Sequence, residues 1–255
     1  MWNVAEVTSP IVELAEWFDT APGQYALAWE RERYDELVAD VFGYHAWQVG
    51  LPGLDLLRAN RMPFKGWVGT ETVEGEWQQA SVIAAPDALP FESQSVDLLL
   101  LPHTFECTDA PHLVLREVER VLVPEGRVIV SGFNPWSLWG ARNAIPGMED
   151  WLPSSRQDQM SVPRLKDWLK LLSFDIDSSH YGCFVPACRT DQWLKRWHFL
   201  ERQGARWWKM GGAVYVVSAV KRVAGMRVIG PAWKKKGKAA AAATVAVNRS
   251  AHADE

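Results

Sequence analysis

Apolar residues recur along the chain in two rhythms, and the switch between them predicts the architecture. Leu27, Tyr34, Val38 and Val41 fall at spacings of seven, four and three, which is one face of a helix. Thr20-Ala21-Pro22 ahead of them supplies a capping hydroxyl and a proline in the first turn, and Gly43 behind them is the expected stop. Ile11–Phe18 reads as a shorter helix before it. From Tyr44 the pattern becomes that of strands: Tyr44–Gly50, Gly66–Thr70 and Ser81–Ala84. Val96–Leu101 is a continuous apolar run ending at Pro102, the mark of a strand buried on both faces. Leu113, Val114, Val118, Val121 and Leu122 then make an amphipathic helix, stopped at Pro124-Glu125-Gly126, and Val128–Val130 is a second buried strand ending at Gly132. Pro163–Leu172 is a predicted helix, Phe174–Tyr181 a strand, Thr190–Arg206 a long helix and Ala213–Val220 a last, very apolar strand.

Strand, turn, helix, strand in this order predicts an α/β fold with a mostly parallel sheet and crossover helices. Three segments follow: a helical piece over 1–43 packed on the core, a main domain over 44–221 with a helical insertion at 182–212, and a basic, low-complexity tail over 222–255.

Charge divides the chain unevenly. The net charge is −4, but residues 1–188 carry 13 Lys+Arg against 27 Asp+Glu, and residues 189–255 carry 14 against 4. The first part therefore has net charge −14 and the second +10. The acidic body does not attract polyanions; the basic final quarter is a candidate contact for nucleic acid or for an anionic surface, or is simply a solvated tail. Within it Lys195, Arg202, Arg206 and Lys209 form a helical basic stripe, Trp193, Trp197 and Leu200 an apolar one, and Trp207-Trp208 follow. No apolar run is long enough to span a bilayer and no signal peptide is recognisable, so a cytoplasmic protein is expected. Three cysteines without a CxxC pair and six histidines without zinc-site spacing give no metal site, and no phosphate-binding Gly-x-x-x-x-Gly-Lys loop is present.

The most informative stretch is 84–134. Asp87-Ala88-Leu89-Pro90-Phe91 precedes Ser95-Val96-Asp97, and Leu115-Arg116-Glu117-Val118-Glu119-Arg120-Val121-Leu122-Val123-Pro124-Glu125-Gly126 precedes the strand Val128–Gly132. In these residues the chain resembles the class I S-adenosylmethionine-dependent methyltransferases, in the branch called methyltransferase type 11. Phe42-Gly43-Tyr44-His45, Leu101-Pro102-His103-Thr104 and Ser131-Gly132-Phe133-Asn134-Pro135 extend the likeness to small, little-characterised bacterial members of that branch. The resemblance implies a Rossmann-like, seven-stranded sheet, S-adenosylmethionine as cofactor, and a crevice at the carboxyl ends of the strands to hold it.

Carried over residue by residue, the resemblance assigns the family's glycine loop to Gly50, Leu51, Pro52, Gly53 and Leu54. Only Gly50 of the three family glycines is present, and Gln48 stands where the family has an acid. Glu71, after the weak second strand, is the candidate ribose-binding acid, the alternative being a solvated loop residue. Ala85 replaces the third-strand acid; Asp87 two residues on either substitutes for it or caps the turn before Leu89, with Ala88 and Leu89 against adenine. Leu101, Pro102 and His103 end the fourth strand at the ligand edge, where His103 is the candidate general base, wall residue or packing residue, and Glu106 a weaker one. Asp97 positions the fourth strand, Glu117 and Arg120 make an ion pair, and Asn134 is a candidate lining residue of the substrate mouth. Asn134-Pro135-Trp136 follows the fifth strand rather than the fourth, so it is not an amino-methylation motif. The implied activity is methyl transfer to an unidentified acceptor, for which the many tryptophans suggest an apolar or aromatic molecule. The alternative is a fold-retaining cofactor or nucleic-acid binder without catalysis.

Overall fold

The computed structural model describes residues 10–222 except 52, 71–79, 146, 148–150, 154–158, 188–189, 191, 193–195 and 198. Residues Met1–Val223 form one compact unit, and Ala224–Glu255 form a second that lies outside the described residues.

The chain opens with α1 (Pro10–Phe18) and α2 (Ala21–Ala39). The Thr20 hydroxyl caps α2 by accepting from Gly23 N at 3.3 Å, and Pro22 sits in the first turn, where its missing N–H costs nothing. α2 ends at Ala39 rather than at Gly43. The side chain of Asn60 donates to the carbonyls of Val38 (2.8 Å) and Val41 (3.1 Å), so a distant amide satisfies the helix end early.

Seven strands follow: β1 (His45–Val49), β2 (Phe64–Gly69), β3 (Ala80–Ile83), β4 (Val96–Pro102), β5 (Leu122–Phe133), β6 (Phe174–Gly182) and β7 (Val214–Lys221). Their order in the sheet is β3-β2-β1-β4-β5-β7-β6. All neighbours are parallel except β5–β7 and β6–β7. The strand order reverses between β1 and β4, so the crevice of this sheet lies outside their carboxyl ends. The expected turn at Pro124-Glu125-Gly126 appears as a register break: Val96 pairs with Leu122, but Leu98 already pairs with Arg127.

β4 shows why both faces had to be apolar. Leu98 and Leu100 pack into the cluster that includes Leu27, Tyr34 and Val38 of α2. Leu99 and Leu101 pack into the opposite one, with Val114, Leu115 and Val118 of α3 (Pro111–Val121) and Leu165 and Leu169 of α5 (Val162–Leu171). α4 (Leu138–Asn143) buries Trp139 under the loop after β5. α6 (Phe199–Trp207) is the described part of the expected long helix; much of its first half falls outside the described residues.

Asp97 has the positioning role expected of it. Its carboxylate accepts from Tyr44 N and His45 N, both at 2.9 Å, and so ties the start of β4 to the start of β1. Glu117 and Arg120 are an ion pair within α3, three residues apart. Their 2.6 Å contact on α3 clamps the preceding loop, because Glu117 accepts from Leu89 N while Arg120 donates to the carbonyls of Leu89 and Phe91.

Candidate functional site

A cleft opens at the carboxyl ends of β1, β2 and β4 and beside the segment after β3. Its walls include Gly50 and Leu51 after β1, Val68, Gly69 and Thr70 at β2, Ala84 and Pro86 after β3, and Pro102 and Thr104 at β4. Ile11 and Leu14 of α1 stand over it. Most of its lining is apolar, as small-molecule sites commonly are.

The loop after β1 is built by one buried side chain. Gln48 Nε2 donates to the carbonyls of Leu54 (2.7 Å), Leu51 (3.3 Å) and Gly50 (3.4 Å), and its Oε1 accepts from Leu56 N at 3.1 Å. A carboxylate could make only the last of these, which explains a glutamine at this position. Gly50 (φ 81°), Leu51 (φ 42°) and Gly53 (φ 81°) all take the left-handed conformation. A side-chain carbon added at Gly50 would meet nothing closer than the Thr104 hydroxyl at 3.7 Å, so the open face of Gly50 is turned to the cleft.

Beneath the cleft lies a buried charge cluster. His103, wholly buried and in the left-handed region (φ 50°), holds Glu106 through Nδ1 and Glu30 of α2 through Nε2, each at 2.6 Å. Glu106 also accepts from Phe133 N at the end of β5. The cluster thus joins α2, β4 and β5. Burial alone would lower the His103 pKa; the Glu30 and Glu106 carboxylates outweigh it and raise it to about 10. At neutral pH His103 is an imidazolium with both nitrogens committed. Burial and then Glu30 push Tyr34 up, and burial and then Glu106 push Tyr215 up, so both phenols stay neutral around it. Glu30 Oε2 meets no donor among the described residues.

The expected site residues distribute as follows. Gly50, Leu51, Pro102 and His103 come together at the cleft. Leu101 and Leu89 do not line it: Leu101 points into the α3–α5 core, and Leu89 is buried there with its backbone held by Glu117 and Arg120. Asp87 and Ala88 are exposed and outside the lining, where Ala84 and Pro86 take their place. Pro52 and Glu71 lie outside the described residues. His103, expected as general base, wall residue or packing residue, lies buried with both ring nitrogens hydrogen-bonded, to Glu106 and to Glu30. Asn134 is buried and lines no mouth; its Nδ2 donates to Met210 O (2.7 Å) and Gly212 O (2.9 Å). Cys107, at the cleft, is no nucleophile at neutral pH, because burial and then Glu106 raise its thiol to about 12. Among the described residues no group of three His, Cys, Asp or Glu could hold a metal ion, and no helix is long and apolar enough to cross a membrane.

Comparison with known proteins now bears on the site. The family described as "Methyltransferase domain" matches residues 67–130, from β2 to within β5. Over residues 67–130 the chain is similar to the type 11 methyltransferase domain family. A curated relative, the uncharacterized protein YafS of Escherichia coli K12, is 41% identical over 105 residues, which cover 41% of this chain and 43% of that protein. The match thus spans less than half of that relative's length. The methyltransferase fold is shared at low identity with solved structures. A Listeria monocytogenes protein titled a putative S-adenosylmethionine dependent methyltransferase aligns with TM-score 0.56 at 12% identity, over 78% of this chain and all of that one. An Archaeoglobus fulgidus SAM dependent methyltransferase aligns with 0.54 at 14%, over 78% and 94%. The [4+2]-cyclase SpnF aligns with 0.54 at 16%, over 79% and 82%.

Sequence reasoning missed Glu30, Ile11, Leu14 and Thr104. Glu30 was signalled: with Leu27, Tyr34 and Val38 at spacings of three, four and four, it lies on the apolar face of α2, where a carboxylate needs a buried partner.

Proposed function

We propose that the chain transfers a methyl group from S-adenosylmethionine directly to an acceptor bound at the carboxyl edge of the sheet. The observation that carries this reading is the cleft at the β1/β4 reversal, with the left-handed Gly50 facing it. The residues present suit the cofactor. Val68, Ala84, Pro86 and Pro102 offer the flat apolar walls an adenine needs, Thr70 and Thr104 offer hydroxyls, and Gly50 lets a ligand approach the backbone closely. When bound, S-adenosylmethionine supplies an electrophilic methyl group on its sulfonium.

This chain's own contribution is placement. Gln48 fixes the loop that carries Gly50 and Leu51. The Glu30–His103–Glu106 cluster fixes the end of β4 against α2 and β5, so the two walls of the cleft keep their spacing. Ile11 and Leu14 of α1 add to the cleft's apolar lining. Holding two reactants in line supplies much of the barrier reduction in such a transfer.

A second reading, binding without turnover, is favoured by Gln48 at the position of the family acid; fold alone does not fix the reaction. Calorimetric titration of S-adenosylhomocysteine into the wild type and into Gly50→Trp tests the first step. Micromolar binding lost in the variant, with its thermal transition retained, supports the cofactor reading. Absence of binding at millimolar ligand overturns it. Label transfer from methyl-labelled cofactor to an extract separates turnover from binding alone.

A further inference from the structure

Three exposed tryptophans flank β5 and β7: Trp136 follows β5, and Trp207 and Trp208 precede β7, whereas Phe42 and Tyr44, also exposed, precede β1. Asn134 accepts from Trp136 N at 3.1 Å and donates to Met210 O at 2.7 Å, so one buried side chain clasps the turn after β5 to the turn before β7. Trp136 is 67% exposed and Trp207 81% exposed; Leu138, Trp208 and Met210 are also exposed. Soluble surfaces carry single apolar residues freely, but not three tryptophans, a leucine and a methionine together without a reason. The flank of this corner is cationic: Arg206 and Lys209 are exposed. Glu201 of α6 turns inward and accepts from Phe184 N at 2.9 Å. The corner also has a fixed relation to the cleft. Phe133 at the end of β5 pairs with Val214 at the start of β7, and Pro102 at the end of β4 pairs with Ser131, so corner and cleft share one edge of the sheet.

We propose that this corner docks on an anionic lipid bilayer, and that the acceptor is an amphiphile drawn from that bilayer. Tryptophan is favoured at the boundary between headgroups and acyl chains, and flanking Arg and Lys add attraction to anionic lipid. Leu138 and Met210 offer nothing for a nucleobase to stack on or bond to, whereas a bilayer boundary buries them. The acceptor half of this inference rests on the methyl-transfer reading; the docking half does not.

The test is sedimentation of the full chain with mixed phosphatidylglycerol–phosphatidylcholine vesicles and with pure phosphatidylcholine vesicles. Binding to the mixed vesicles is expected, weakened about tenfold by Trp207→Ser with Trp208→Ser and again by Arg206→Glu with Lys209→Glu. Because Trp208 packs on Gly211, Trp136→Ser is the second apolar variant, and a retained cooperative thermal transition checks each fold. Vesicle binding that survives all of these variants overturns the proposal, since it then belongs to the basic segment beyond residue 222. RNA binding or dimer formation that the same variants abolish, without vesicle binding, also overturns it. Vesicle binding in a protein that takes up no S-adenosylhomocysteine supports the docking surface and overturns the acceptor half.

Discussion

Replacing His103 by Asn removes the cation from the buried cluster and leaves Glu30 and Glu106 facing each other in the core. Asn is the appropriate replacement because it tolerates the left-handed backbone at φ 50°, so the loss reports the imidazolium rather than backbone strain. Two routes give the size. Removing one partner of a buried ion cluster costs about 3–5 kcal/mol. A histidine pKa raised from 6.5 to about 10 corresponds to an energy of the same order, roughly 5 kcal/mol. For a chain of this length about 2–4 °C of transition temperature accompanies each kcal/mol, so a fall on the order of 10 °C is expected. The pH dependence is the sharper signature. The folded-state pKa of His103 lies above its unfolded value, so its stabilisation is complete below about pH 6.5 and is lost as pH rises through about 10. Between those limits the wild type loses up to about 1.4 kcal/mol per pH unit through this group, and His103→Asn lacks that slope. Urea unfolding of both proteins at neutral and at increasingly alkaline pH measures the gap between them, which should be widest near neutrality and close toward pH 10. A gap below about 1 kcal/mol, or one that does not change with pH, would refute the ion cluster.

Three further outcomes follow from single side chains. Gln48→Glu puts a carboxyl group where the Leu51 and Leu54 carbonyls take their side-chain donor; the Gly50 carbonyl keeps the Trp67 indole N–H. The new carboxyl group's folded pKa should be raised, so thermal melts should show a loss that is small in mild acid and about 2 kcal/mol or more at alkaline pH. Arg120→Met removes the donors to the Leu89 and Phe91 carbonyls. It should cost about 1–3 kcal/mol by denaturant titration, with amide exchange faster across 88–93. Asn134→Ala unclasps the 208–212 turn and should cost about 2 kcal/mol, with limited proteolysis cutting near Trp208 before the core unfolds.

Much of the fold was legible in single stretches of sequence. Leu98–Leu101 and Val128–Val130 read as doubly buried strands between turn signals, and the spacing of Val114, Val118 and Val121 as one apolar helix face, and the structure has both. The Glu117–Arg120 ion pair was legible in the sequence; its hold on the backbone of Leu89 and Phe91 was not. What escaped was long-range. The stop of α2 at Ala39 depends on Asn60, twenty-two residues away from Val38. The role of His103 depends on Glu30, seventy-three residues away, and no local pattern names that partner. Leu89 and Leu101 were assigned to the ligand because they border the right loops. The two-residue alternation of a strand turns Leu101 to the core and leaves Pro102 at the cleft. Gln48 was read as a lost acid; its four hydrogen bonds show a different way of holding the same loop.

A nucleoside-bearing cofactor bound at the β1/β4 reversal would leave a local footprint. Hydrogen exchange of the full chain with and without S-adenosylmethionine reads it. Slowed exchange is expected only in the amides of 49–56, 68–70, 84–86 and 103–107. No change at saturating cofactor, or protection that leaves these segments untouched and appears instead between α3 and α5, would contradict it.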